Sequence, residues 1–275
     1  MRIICDTNAW YKIGAKGLPS LPTGSRLIGT YCSLEELTST NNLVGGPSRK
    51  EAAENAIRSF IRVCKGQRQE YFFHPWDFIK WKDNDIVPYN PLEHFKSLFL
   101  FLSAIANGDS VSNEFKDYVN ATNARYSLWV DFYTENGKEI HARLNDKNRR
   151  RNHLKEDSTF LNRDHTSFFV GVATVPGCKE AIAQANGMIP NLCMGISNTF
   201  NWDELELFQG VLGVWHNEIE TGAVTSIEVN DFHDLHNMVY VSPGDKYWTE
   251  DGLWKRRIEK AGLTEYLFSP EVTDK

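Results

Sequence analysis

The chain has 275 residues, 41% hydrophobic and 24% charged; this composition can bury one large core or two modest ones and excludes a disordered or fibrous chain. Thirty Lys and Arg against 36 Asp and Glu leave a net charge of −6, so a polyanionic ligand must be drawn by a local basic surface against the field of the whole molecule. The longest apolar run, Leu98 to Ala106, is broken by Ser103 and falls far short of the roughly 20 residues of a membrane span.

At the amino terminus Ile3-Ile4-Cys5 is a short apolar run ending at Asp6. It predicts a buried strand that delivers a carboxylate to a strand-to-helix turn, with Thr7 and Asn8 opening a helix through Trp10 and Ile13. The same early carboxylate interrupts any secretion signal, whose apolar core needs about 7 to 15 residues, so a cytoplasmic location is expected. The five cysteines, at 5, 32, 64, 178 and 193, are scattered and form no Cys-x-x-Cys or short Cys/His spacing; they read as reduced thiols.

After a loop from Gly17 to Gly24, Arg26 to Tyr31 predicts a second strand, and Ser33 to Glu36 has the spacing of a capping box at a helix start. A second such box, Ser48 to Glu51, opens a helix that places Ala53, Ile57, Phe60, Ile61 and Cys64 on one face and stops at Gly66. Aromatic segments follow from Tyr71 to Trp81, then a helix from Pro91, capped by Asn90, to Gly108. Asn113 to Tyr133 repeats aromatic and apolar residues every three or four positions, which predicts a further helix. A polar stretch, Lys138 to Glu156, carries Arg149-Arg150-Arg151 and precedes a strand at Phe168 to Val175.

The final portion alternates again. Helices are expected near Asp203 to Val214, Asp231 to Met238 and Leu253 to Ala261, with the run Lys246-Tyr247-Trp248-Thr249 between the last two and a short strand at Tyr266-Leu267-Phe268. Strand and helix alternation at both ends predicts an α/β fold with a parallel sheet, formed by residues 1–66 and 203–275 and interrupted by a large, mostly helical insertion over 67–202. The two ends differ in charge, with nine basic and five acidic residues in 1–66 but six and fifteen in 203–275.

Side chains leaving the carboxyl ends of neighbouring parallel strands converge on one crevice. Asp6 follows the first strand, Glu36 lies at the helix after the second, Asp234 at the start of a later helix, and Asp251 just beyond Tyr247-Trp248-Thr249. Four carboxylates in one pocket repel unless a cation intervenes, and an oxygen-only set suits Mg²⁺ or Mn²⁺. An ion held this way polarises phosphoryl oxygens and activates water, so phosphodiester hydrolysis is the expected reaction.

The motifs Ile3-Ile4-Cys5-Asp6-Thr7-Asn8, Ser33-Leu34-Glu35-Glu36-Leu37, Asp231-Phe232-His233-Asp234-Leu235-His236 and Trp248-Thr249-Glu250-Asp251, in that order, resemble the PIN-domain nucleases. The resemblance covers residues 1–65 and 205–270. It implies a three-layer α/β/α domain in which Asp6, Glu36, Asp234 and Asp251 hold Mg²⁺ or Mn²⁺, with Asn8, Thr249 and Asp231 supporting them, and single-stranded RNA as the substrate. An antitoxin-like protein partner and a homodimer are compatible with such a nuclease. The chain departs from compact members of that family by its long central segment.

Each acid also has a plainer role: Asp6 as a helix cap, Glu36 as the far end of a capping box, Asp231 and Asp234 as charges near a helix start, and Asp251 likewise; Glu35 is the alternative to Glu36 as ligand, and Asp231 competes with Asp234. Asp245 and Glu250 are expected to face solvent. His233 and His236 with the neighbouring aspartates also suit a transition-metal site of the HD-phosphohydrolase kind, which belongs to an all-helical fold. Arg149, Arg150 and Arg151 are candidate phosphate contacts. The rival to the nuclease is a non-catalytic PIN-like module that binds RNA or protein and whose acidic pocket is neutralised by Lys or Arg.

Overall fold

The computed structural model describes residues 1–84, 91–108, 117, 201–220, 223 and 228–270. Three strands, β1 (Arg2–Cys5), β2 (Arg26–Ile28) and β3 (Lys246–Trp248), form a parallel sheet in the order β2-β1-β3. Ile3, Ile4 and Cys5 are fully buried, as an unbroken apolar run on the central strand of a parallel sheet requires, because both faces are covered. Ile4 pairs with Ile28 on one side and Tyr247 on the other, and Cys5 pairs with Trp248.

Helix α1 (Thr7–Lys16) leaves the end of β1 directly, and α2 (Tyr31–Ser39) follows β2. The long α3 (Pro47–Cys64) buries Ala53, Ala56, Ile57, Phe60 and Cys64, the face that the periodicity predicts. It crosses α1 closely at Gly14, where an added Cβ would stand 2.6 Å from the Ala56 backbone nitrogen, and Trp10 meets Phe60 edge to face at 5.2 Å. Then come α4 (Pro75–Asn84), α5 (Pro91–Ala106), α6 (Glu206–Glu220), α7 (Val229–Asn237) and α8 (Gly252–Lys260).

Residues beyond the expected boundary at 67 pack into the same core. Phe72 contacts Phe60 at 6.3 Å, Phe78 contacts Tyr240 at 4.8 Å, and the Tyr240 hydroxyl donates to the Phe73 carbonyl at 2.5 Å. Leu98, Leu102 and Ile105 of α5 are buried there as well. The predicted helix at Asn113 to Tyr133, apart from Asp117, lies outside the described residues, as do Arg149, Arg150, Arg151 and the strand at Phe168 to Val175. No helix of the described residues is long and apolar enough to cross a membrane.

Several local expectations are corrected. Neither Ser33 nor Ser48 caps a helix: Thr30 caps α2, and Gly46 precedes α3 with Pro47 at its first position, where a fixed φ and a missing N–H suit the helix start. The helix expected at Asp203 begins as a 3₁₀ turn, Trp202–Leu205, and α6 runs on to Glu220. Helix α7 starts at Val229 through a capping box between Glu228 and Asp231, so Asp234 sits in its second turn. The last strand reduces to a single bridge from Leu267 to Tyr247: Tyr266 still belongs to a 3₁₀ turn, and Pro270 has no N–H to extend a ladder.

Candidate metal centre

The carboxyl end of β1 is tied to elements from both halves of the chain. The Cys5 carbonyl accepts from the Ser33 hydroxyl at 2.8 Å and from Asn237 Nδ2 at 3.3 Å, and Asn237 Oδ1 takes the Thr30 hydroxyl at 2.5 Å. On the other side the Asp6 N–H donates to the Trp248 carbonyl at 3.0 Å. These bonds bring α2, α7 and the end of β3 around Asp6, and all of the polar groups making them are buried.

Asp6 is 1% exposed. Its Oδ1 caps α1 by accepting from the Ala9 N–H at 2.7 Å, while Oδ2 is buried and makes no hydrogen bond of normal geometry. The helix-cap reading of Asp6 therefore holds for one oxygen, and the Thr249 hydroxyl also acts on the carboxylate. Glu36 lies in the second turn of α2, beyond any capping role, and its Oε2 accepts from the Thr7 hydroxyl at 2.5 Å. Asp234 is buried on α7, where the Tyr247 hydroxyl donates to its backbone carbonyl at 3.4 Å. Asp251 caps α8, Oδ1 accepting from Leu253 and Trp254 at 2.6 and 3.3 Å. Thr249 shapes that turn, its hydroxyl accepting from the Asp251 N–H at 3.0 Å.

The fields of neighbouring carboxylates are felt at Asp6 and Asp234. Burial pushes Asp6 up to about 7, the fields of Glu36 and Asp251 add to the shift, and the Thr249 hydroxyl and Ala9 N–H oppose it. Burial also takes Glu36 to about 7 against its bond from Thr7. Asp234 rises well above the carboxylate range through burial and then through Glu36, Asp6, Asp251 and Asp231. Adjacent cations are engaged elsewhere. Lys12 and Lys255 meet Glu250 at 2.7 and 3.8 Å, and buried Arg257 binds Glu218 at 2.8 Å while lying over the Trp254 ring at 4.4 Å.

Asp231 is set apart from the other acids by its partners. Its Oδ2 accepts from the Glu228 N–H at 2.8 Å in the α7 cap, and Arg257 Nη1 lies 3.9 Å from its Oδ1. Asn8 is exposed at the start of α1 and lines an open groove of about 630 Å³ with Lys12, Lys16, Glu250, Asp251 and Gly252. Asp245 is corrected: it is 5% exposed and paired with Arg2 at 2.7 Å. Burial lowers His233 to about 3 and His236 to about 4, and the parallel sheet beneath them rules out the all-helical HD frame.

Sequence reasoning passes over Thr30, Ser33 and Asn237, which carry the clamp on Cys5, because small polar residues near helix ends read as caps. Buried Glu35, the neighbouring alternative to Glu36, takes the Tyr31 hydroxyl at 3.3 Å. Among the described residues no three His, Cys, Asp or Glu side chains stand as a preformed coordination set. Like charges without a counterion are held apart by their own repulsion, and Mg²⁺ needs only one or two direct carboxylates, filling its other positions with water. The buried Asp6 Oδ2, which makes no hydrogen bond of normal geometry, and the all-oxygen donor set fit such an ion. No protein-family model matches the chain, nor does any curated protein or solved structure.

Proposed function

We propose that the chain is a Mg²⁺- or Mn²⁺-dependent nuclease of the PIN type, in which Asp6, Glu36, Asp234 and Asp251 hold the ion and single-stranded RNA is hydrolysed. The observation that carries this reading is the Asp6 carboxylate at the end of the central strand, buried beside the fields of Glu36 and Asp251, whose Oδ2 makes no hydrogen bond of normal geometry. Leaving a buried acceptor unsatisfied costs about 1–3 kcal/mol, and three further carboxylates make the same place more costly to charge. A hard divalent ion offsets both terms, and when bound it supplies Lewis acidity toward a phosphoryl oxygen and toward water.

The chain's own residues hold and aim that site. Thr7 keeps one Glu36 oxygen directed toward the start of α1, Thr249 fixes the turn that presents Asp251, and the Ser33 and Asn237 bonds to Cys5 hold α2 and α7 at a set distance from Asp6. A non-catalytic module would neutralise these acids with basic side chains. Among the described residues the nearby cations instead pair with Glu250 and Glu218, which favours the enzyme.

The test is Asp6→Asn assayed for Mn²⁺-stimulated cleavage of single-stranded RNA beside a thermal melt. Cleavage is expected to disappear and the melting temperature in EDTA to hold or rise, since a buried charge has been removed. Full activity in the variant would overturn the proposal.

A further inference from the structure

Helix α1 begins one residue after Asp6, and Asn8, Lys12 and Lys16 follow one another at intervals of four along it. Such residues form a single ridge that advances about 6 Å per step along the helix, similar to the step between successive phosphates of an extended strand. The ridge lines a wide, open depression of about 630 Å³ beside Asp251, together with Glu250, Asp251 and Gly252. Lys16 is exposed. Lys12 is held by Glu250 Oε1 at 2.7 Å, the same oxygen that accepts the Trp248 indole N–H at 2.7 Å, and Lys255 stands 3.8 Å from Oε2. Two ammonium groups and an indole N–H around one carboxylate are the donors that a phosphate oxygen would also accept from.

We infer that this groove carries the phosphodiester backbone flanking the cleaved bond of a single-stranded RNA, with Lys12 and Lys16 on successive phosphates and Glu250 occupying the phosphate position at Lys12 in the free protein. The inference rests on reading the four acids as the cleavage centre, and it assigns the path by which the strand leaves them. It also answers the net charge of −6: the attraction is local, from Lys12 and Lys16 along one helix face.

The test measures anisotropy of a fluorescent oligouridylate bound to the full chain in EDTA over a sodium chloride series, for the wild type and for Lys12→Gln/Lys16→Gln. Loss of two phosphate contacts is expected to make the plot of log affinity against log salt shallower by about 1.4, and to raise KM for the oligonucleotide while the Mn²⁺ thermal shift and hydrolysis of bis(p-nitrophenyl) phosphate persist. Glu250→Gln, which releases Lys12, is expected to tighten binding several-fold. An unchanged salt slope in the double variant, or no gain in Glu250→Gln, would overturn the assignment. A wild-type chain with no Mn²⁺ shift but a lysine-dependent slope would instead remove the metal reading and leave the groove as a binding surface.

Discussion

Thr7 donates its hydroxyl to Glu36 at 2.5 Å, so the first residue of α1 holds a carboxylate of α2 beside the end of the central strand. Removing the hydroxyl by Thr7→Val keeps the side-chain shape and costs about 1 kcal/mol in stability. Residues that orient metal ligands matter more to affinity than to folding, and a loss of roughly ten- to a hundredfold in Mn²⁺ affinity is expected. Titration calorimetry checks this, and equal affinities would show that Thr7 does not aim Glu36.

The pH dependence has a defined sign. Asp6 and Glu36, both raised to about 7, bind protons more tightly folded than unfolded, so their contribution to stability is full below about pH 4 and is lost as pH rises through 7. A divalent ion requires them deprotonated, so its stabilisation grows over the same interval. Melting temperatures in EDTA and in Mn²⁺ are therefore expected to differ more near pH 8 than near pH 5. A constant difference would count against these two groups as ligands.

Arg257 is 1% exposed and bridges Glu218 of α6 toward Asp231 of α7. Replacing it by Met leaves Glu218 with Lys260 alone, at 2.6 Å, and should cost about 1.5–3 kcal/mol, the worth of a hydrogen bond to a charged group. Pairing Arg257→Met with Glu218→Leu should recover much of that loss. Urea denaturation of the single and double variants measures both, and simple additivity would exclude the coupling.

Gly14 sets the spacing between α1 and α3. An added Cβ would lie 2.6 Å from the Ala56 nitrogen and 2.7 Å from the Asn55 carbonyl carbon, backbone atoms that cannot swing aside. Gly14→Ala is expected to cost about 1–3 kcal/mol despite its better helix propensity. Because α1 starts at the proposed centre, the variant should also weaken Mn²⁺ binding, and an unperturbed denaturation midpoint would refute the steric account.

The strands and the buried face of α3 are legible because burial on both faces of a sheet and on one face of a helix imposes simple apolar periods. Helix starts are less so: Ser33 and Ser48 satisfy the capping pattern yet stand inside first turns, since Thr30 and Pro47 begin those helices earlier. Candidate acids follow from their places beside strands, but their relative standing depends on long-range partners. Asp231 and Asp234 look alike in sequence, and what separates them is Arg257, whose contact with Asp231 joins positions 26 residues apart. Asp245 is misread for the same reason, its partner Arg2 lying at the opposite end of the numbering.

The central strand is completed by neighbours at 26–28 and at 246–248. During synthesis one rim of β1 must wait until residues 246–248 are made before it acquires its second neighbour, and an open strand rim invites intermolecular pairing. A ribosome-bound fragment ending before Lys246 therefore lacks both Asp251 and the strand that shields β1.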